Sequence, residues 1–461
     1  MKNRKTYQGF VVAGTHSSAG KSSVSMGLMR LLKDSGWSIK PFKVGPDYID
    51  PGHHMRACGQ PSYNLDTVMC TKRYVKDLFD DVMNKGDLAI IEGVMGLHDG
   101  ASPTSEKGST AELAKLLDLP VILVIDGRAM SRSSAAQVLG FMKLDPKLNL
   151  VGVVANNINS SRHADIIKAS IEHYTSTKLL ACLPTSKELH IPSRHLGLQQ
   201  GIEQKDDLYK KWARHIESNM DLKKFIKLFK LKKPLRVPAG PIKKPKRWKT
   251  TEKKKLLTIG VAKDEAFQFV YQDTLDFLSH QGFHISLFSP LHDSHLPENM
   301  DVYYFPGGYP ELHAQSLSKN RSLLNDIKKT GSTGKIIIGE CGGLMYLGKG
   351  ITDAKGKKHS LAGIFNYHTS LKTKKLTLGY RKLVQTSKAN LEDKITLSGH
   401  EFHYSSLINN KETPDWTQVA SNKQTHITDG FRKFNCFSFY SHIYWASNSA
   451  WMKFIIKIAK Q

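Results

Sequence analysis

The chain has 461 residues, 40% of them hydrophobic, and a formal net charge of +26. That is enough for two or three domains with proper cores, and the composition is too ordinary for wholesale disorder. The cysteines (Cys58, Cys70, Cys182, Cys341, Cys436) are scattered without a C-x-x-C pair, which argues against a zinc site or a disulfide framework and for free thiols in a reducing cytoplasm. After the basic start MKNRK the apolar stretch is too short for a signal peptide, and no apolar run approaches the ~20 residues that span a bilayer.

The first strand expected is the apolar run Phe10–Ala13. A small-residue loop follows, then a helix from about Lys21 to Ser35 with Val24, Leu28 and Leu31 as its apolar stripe and Gly36 as its stop. The loop, GTHSSAGKSS from Gly14 to Ser23, has the context of a phosphate-binding loop: strand before, helix after, and small residues that let backbone N–H groups close on phosphate oxygens. ATP is the expected nucleotide, held by Gly14, Thr15, Gly20, Lys21, Ser22 and Ser23. Lys21 would reach the β/γ-phosphates and Ser22 would ligate Mg²⁺. The spacing departs from G-x-x-x-x-G-K-[ST], because the first glycine is Gly14 and Thr15 fills its usual place. That longer loop resembles the dethiobiotin synthetase type. A partition-type ATPase, the non-biosynthetic competitor, carries a lysine five residues before the invariant one, and that position is His16.

Further strands are expected at SIKPF, LAII, VILVI and LVGVVA, separated by helical segments as in a parallel sheet with crossover helices. Acids stand at their ends. VGPDYIDPGHH carries Asp47 and Asp50, LAII runs into Glu92, and Asp99 lies downstream. A carboxylate at a strand C-terminus beside a phosphate loop is placed for Mg²⁺ or its water shell. A helix cap or a solvated loop charge is the plainer alternative, and for Asp99 alone it is the better one. Asn156, after LVGVVA, is a candidate contact to the nucleotide base. His53 and His54 read as loop residues.

From Lys223 to Lys255, 15 of 33 residues are Lys or Arg, Glu252 is the sole acid and four prolines interrupt the run. Much of the charge therefore sits in an expected linker, 223–255, between domains at 1–222 and 256–461. No helix-turn-helix, zinc-finger or RNA-recognition signature accompanies it, so no specific nucleic-acid partner is expected.

The second α/β block opens with LLTIGVA, then ISLF, VYYF and KIIIG. KIIIGECGGLMYL puts Cys341 between a buried strand and a helix in the pattern Gly339-x-Cys341-x-Gly343, the geometry of a nucleophile elbow. The helix N-terminus would lower the thiol pKa. Backbone N–H groups around Gly307 and Gly308, with that of Gly342, could form an oxyanion hole. His442 is the expected base, with His400 and His403 as alternatives. Class I glutamine amidotransferases often place a glutamate two residues after the histidine; here that residue is Tyr444, so a Cys–His pair without a carboxylate orienter is expected.

Over essentially its whole length the chain resembles the cobyrinic acid a,c-diamide synthases. The matching stretches are GTHSSAGKSS, PFKVGPDYIDPGHH, IIEGVMGLHDG, RHLGL, VAKDEAFQFVY, FPGGYPELH, GECGGLMYLG, LGYR and GHEFHYS. The related cobyric acid synthases differ after PFK. The resemblance implies two α/β domains, a mostly parallel P-loop sheet with flanking helices and a class I glutamine amidotransferase-like domain. It implies a cytoplasmic ligase that takes ammonia from L-glutamine through a Cys341 thioester. Mg-ATP would phosphorylate the c and a acetates of a polycarboxylate tetrapyrrole, and ammonia would displace phosphate. Asp47, Asp50 and Glu92 then fall where acids serve Mg-ATP, and Tyr48, Ile49 and Asp99 fall near the substrate. Cobyrinic acid, its metal-free hydrogeno form and a sirohydrochlorin-type relative all fit, no membrane is involved, and a homodimer is left open.

Overall fold

The computed structural model describes residues 7–84, 87–189, 191, 193–194, 197–232, 245, 247–248, 256–372, 376–386, 395–420 and 426–460. His195 and Leu196 of the RHLGL stretch and most of the basic linker lie outside the described residues. The chain forms two compact units, Met1–Lys249 and Thr250–Gln461.

The first unit is built on strands β1 (Gln8–Gly14), β2 (Ile39–Val44), β3 (Tyr63–Leu65), β4 (Leu88–Glu92), β5 (Val121–Asp126), β6 (Leu150–Asn156) and β7 (Lys178–Leu183). They form one sheet in the order β3-β2-β4-β1-β5-β6-β7, parallel throughout. Strands buried on both faces need near-continuous apolar runs, and Phe10 to Ala13, Leu88 to Ile91 and Val121 to Ile125 are fully buried. Helices α1 (Lys21–Asp34), α2 (Ile49–Cys58), α3 (Lys72–Val82), α4 (Thr110–Leu117), α5 (Ser133–Leu144), α6 (Ser161–Tyr174), α7 (Asp206–Ser218) and α8 (Leu222–Leu228) complete the unit. Gly36 ends α1 as expected: it takes φ 86° and its N–H donates to the Lys33 carbonyl at 2.8 Å.

The expected linker begins inside this unit. Phe225 on α8 is buried, with its ring 5.4 Å from that of Phe10. Near the linker's other end, Arg247 is buried against Asp81 at 3.0 Å and stacks on Trp248. Phe225 and Trp248 are buried and Phe229 is half-buried within a basic stretch, and covering them draws both ends of that stretch onto the unit.

In the second unit a parallel half, ordered Phe283–Phe288, Leu257–Ala262, Val302–Phe305, Ile336–Glu340 and Cys436–Phe439, continues into an antiparallel half. That half runs His426–Lys433, Pro414–Ala420, Thr377–Gln385, Thr396–His403 and His442–Ile443. The last strand follows Cys436–Phe439 after two residues, yet pairs at the far end of the antiparallel run. That run therefore curls back on itself and carries His442 toward the strand that precedes Cys341.

Candidate active sites

In the first unit the phosphate loop joins β1 to α1, at the carboxyl end of a central strand where open α/β sheets bind ligands. Its departure from the usual glycine spacing has a steric reason. A Cβ at Gly14 would lie 2.8 Å from Lys21 Cγ and 3.0 Å from Cδ, so the absent side chain makes room for the lysine stem. Lys21 is buried and its Nζ donates to the His16 carbonyl at 3.2 Å. Burial, reinforced by Lys43, lowers its pKa. Gly20 caps the helix at φ 107°, and a Cβ there would meet Asn156 Nδ2 at 2.3 Å. Asn156 itself donates to the Ala19 carbonyl at 3.2 Å, so it braces the loop. Thr15 bonds His16 at the exposed tip, and Ser23 lies in the first turn of α1.

Glu92 is the hub of the acidic cluster. Fully buried at the end of β4, its Oε1 accepts from Ser22 Oγ at 2.6 Å and from Lys43 Nζ at 2.9 Å, and its Oε2 bonds His54 Nε2 at 2.7 Å. Lys43 faces it because the two are register partners on β2 and β4. Lys43 Nζ also reaches Asp50 Oδ2 at 2.5 Å and the Gly93 carbonyl at 3.0 Å. Burial pushes the Glu92 carboxyl up, but the Lys43 ammonium and His54 outweigh it and hold it well below the usual carboxylate range. Asp50 moves the other way, raised by burial and by the charges of Asp47 and Glu92.

The other predicted residues take plainer places. Asp47 Oδ1 accepts from the N–H groups of Ile49 (2.7 Å) and Asp50 (3.2 Å), capping α2, with Oδ2 3.7 Å from Lys43. Tyr48 is half-buried and Ile49 buried at the start of α2. Asp99 Oδ2 accepts from the Gly96 N–H at 2.8 Å, as a turn residue does. His53 and His54, expected in a loop, are buried on α2. His53 bonds the Tyr209 hydroxyl at 2.8 Å and the Gln199 carbonyl at 2.8 Å. Lys43 and His54 are the residues sequence reasoning missed. The signals were a lysine in an otherwise buried strand and the i,i+4 spacing that puts Asp50 and His54 on one helix face.

Among the described residues, no group of three or more His, Cys, Asp or Glu side chains gathers as a metal cage would require. Magnesium does not need one, since it keeps waters and takes one or two protein oxygens plus phosphates. The hard-oxygen pair Ser22 and Glu92, beside the loop, fits that donor set.

In the second unit Cys341 follows the strand Ile336–Glu340 and precedes the helix Gly342–Leu347, at φ 50° and ψ −100°. A non-glycine residue in that region marks a strained turn, as a nucleophile elbow demands. The glycines are sterically required: a Cβ at Gly343 would sit 1.9 Å from the Phe305 carbonyl oxygen and one at Gly308 2.0 Å from that of Ala266. A Cβ at Gly342 would lie 3.0 Å from the Gly308 nitrogen, and one at Gly307 would lie 2.2 Å from His442 Cε1. Gly307 and Gly308 thus have His442 on one side and the turn after Cys341 on the other.

The expected lowering of the thiol pKa does not occur. Burial, then the charges of Glu311, Glu401 and Glu340, raise Cys341 well above its ordinary value, and the Gly342 N–H opposes them only in part. Burial, with His400 and His403 nearby, pushes His442 well below its ordinary value. Both shifts favour the uncharged thiol and imidazole; the Cys341 thiol donates to the Phe402 carbonyl at 3.9 Å. The alternative His403 bonds the Ser405 carbonyl through Nδ1 at 2.8 Å, stacks on Tyr440 at 4.0 Å and has its Nε2 3.6 Å from Glu401 Oε1.

Residues 258–450 match the family of CobB/CobQ-like glutamine amidotransferase domains, and residues 8–193 match an AAA domain family. The chain is 38% identical over 456 residues to the cobyrinate a,c-diamide synthase of Dehalococcoides mccartyi, covering 98% of each. The chain belongs to the cobyrinate a,c-diamide synthase family. It is likewise 37% identical over 463 residues to the Salmonella typhimurium synthase, covering 99% of each, and 39% identical over 440 residues to that of Picrophilus torridus. As a member of the cobyrinate a,c-diamide synthase family with a glutamine amidotransferase domain, it is a glutamine-dependent ligase with an ATP-binding P-loop unit. No helix among the described residues is long and apolar enough to cross a membrane.

Proposed function

We propose that the chain converts cobyrinic acid to its a,c-diamide in cobalamin biosynthesis, one acyl phosphate at a time. The observation that carries this reading is the presence, in one chain matching cobyrinate a,c-diamide synthases end to end, of a phosphate loop wired to a buried carboxylate and a cysteine elbow lined with glycines.

In the glutaminase unit Cys341 Sγ attacks the side-chain amide carbon of glutamine while His442 takes the thiol proton. The Gly308 and Gly342 N–H groups, with the Gly307 turn beside them, receive the developing oxyanion. His442 returns the proton to the leaving nitrogen, ammonia departs, and water hydrolyses the thioester to glutamate. In the first unit Lys21 and the α1 N-terminus hold the β- and γ-phosphates of ATP. Ser22 and Glu92 would hold Mg²⁺, which would supply charge neutralisation on the phosphates, while Lys43 holds the Glu92 carboxyl low and Asp50 in place. An acetate oxygen of the tetrapyrrole attacks the γ-phosphorus and ADP leaves. Ammonia then attacks the acyl carbon and phosphate departs. A carboxylate is otherwise inert to amines, and the acyl phosphate must be kept from water; delivered NH₃ is effective because free ammonia is mostly protonated at neutral pH. The test is heavy-oxygen labelling of the substrate carboxylates. Label in the released phosphate supports the acyl phosphate, and unlabelled phosphate contradicts it.

Two expected results follow from the site. His442→Ala loses glutamine-dependent synthesis, whereas His403→Ala retains glutaminase turnover, as assays of glutamate release read directly. The reverse pattern would assign the base to His403. Raising salt should increase KM for the tetrapyrrole and leave KM for glutamine nearly unchanged, because screening at a Debye length of about 8 Å weakens attraction of a polycarboxylate but not of a molecule without net charge. Lys243, Lys244 and Lys246 of the basic linker lie outside the described residues, and Arg247 is committed to Asp81. Tight, sequence-selective duplex binding in a filter assay would contradict this use of the charge.

A further inference from the structure

Tyr444 stands where an orienting glutamate would follow the base, and its hydroxyl donates to Asp273 Oδ2 at 2.7 Å. Two other buried carboxylates grip the segment around His442, one from each side. Glu340, the residue before Cys341, is 1% exposed. Its Oε2 accepts from the Ile443 N–H at 3.2 Å and the Tyr304 hydroxyl at 2.9 Å, and its Oε1 accepts from Trp445 Nε1 at 2.7 Å. Asp429 is fully buried. Its Oδ1 accepts from the Tyr440 N–H at 2.8 Å, and its Oδ2 from the Ser441 N–H at 3.3 Å and from Gln418 Nε2 at 2.9 Å. The backbone N–H groups of residues 440, 441 and 443 are thus all spoken for by these two side chains.

We propose that Glu340 and Asp429 are the positioning residues of the glutaminase, holding Tyr440–Trp445 so that the His442 imidazole stands against Gly307 beside the Cys341 turn. The proposal rests on the assignment of Cys341 and His442 made above. A carboxyl group suits these places because each of its oxygens accepts more than one donor; burial raises the Glu340 pKa to about 8 and raises that of Asp429 as well, and the donors gathered around each oppose that rise. Leaving one in an apolar interior is costly unless those donors are present, so their convergence on the base's own segment reports a function rather than packing. Glu340 ties that segment directly to the strand carrying the nucleophile, which fixes the base relative to the thiol without a side-chain contact to the imidazole.

The full chain carrying Glu340→Gln tests this. The amide keeps one acceptor but turns an N–H₂ toward donors that need an oxygen. Glutamine turnover should fall ~10- to 100-fold, the range that misplacement by about 1 Å costs, with KM for glutamine little changed. A loss of folded protein alone would also lower turnover, so the deciding readout is the pH profile of Cys341 alkylation by iodoacetamide, followed on the Cys341 peptide by mass spectrometry. With His442 in place the rate should change far less than tenfold per pH unit across neutral pH. With the base displaced only thiolate reacts, and the rate should climb about tenfold per pH unit. Asp429→Asn should behave alike, and Trp445→Phe, which removes a single donor from Glu340, should show a smaller change of the same kind should Glu340→Gln not fold. Wild-type turnover and the same shallow profile in the folded variants, with His442→Ala inactive, would overturn the proposal. Full turnover in His442→Ala would overturn the base assignment and this proposal with it.

Discussion

Cys341→Ala should abolish amide synthesis from glutamine while synthesis from concentrated ammonium salt continues near the wild-type rate. On the proposed mechanism Cys341 releases ammonia and takes no part in activating the carboxylate, so only the first nitrogen source depends on it. The expected loss is roughly four orders of magnitude or more, as for removal of a nucleophile elsewhere. Cys341 occupies a strained elbow at φ 50°, with the Gly342 backbone beside Gly308. Alanine fits the same space and should not disturb the turn. Parallel assays with the two nitrogen sources read the result. Loss of both activities in a folded variant would mean that the cysteine is structural.

Lys21→Ala and Glu92→Gln should instead eliminate synthesis with either nitrogen source. Removing a charge that clamps phosphate or metal in such a site costs on the order of a hundredfold or more. Glu92→Gln also leaves Lys43 and His54 facing an amide in a fully buried cluster, and breaking one member of a buried ion pair destabilises by about 3–5 kcal/mol. Thermal melting must therefore accompany the assay, so that lost activity is scored only in folded protein. Near-normal rates from ammonium salt in either variant would sink the phosphate-loop reading.

Most parallel strands of both units were legible in the sequence because buried strands are written as apolar runs: Phe10–Ala13, Leu88–Ile91 and Ile336–Ile338 need no context, whereas Lys178–Leu183 and Cys436–Phe439 were not read as strands. The antiparallel half of the second unit was not. Thr377–Gln385 is TLGYRKLVQ, mostly half-buried or exposed, and its place is set by long-range pairing with Thr396–His403 and Pro414–Ala420. In the short strand β3 three residues carry too little pattern for any periodicity. Among the candidate site residues, Lys21, Glu92 and Cys341 announced themselves through glycines and strand ends. Lys43, His54, Glu340 and Asp429 did not, because their partners lie on other elements: Lys43 meets Glu92 across two strands, and Asp429 meets Tyr440 after a strand reversal. The charge of the linker was likewise read without its apolar residues, although Phe225 anchors α8 in the core.

The central claim is that one chain couples glutamine hydrolysis and ATP cleavage to amidation of a tetrapyrrole at two carboxylates. Mass spectrometry of cobyrinic acid after incubation with the protein, ATP, Mg²⁺ and glutamine tests it directly. The account predicts two successive carboxyl-to-amide conversions, each lost when ATP or glutamine is omitted. An unchanged cobyrinic acid, alongside amidation of a hydrogenobyrinic or sirohydrochlorin-type substrate under the same conditions, would contradict the assignment of the substrate; no amidation of any of the three would contradict the account itself.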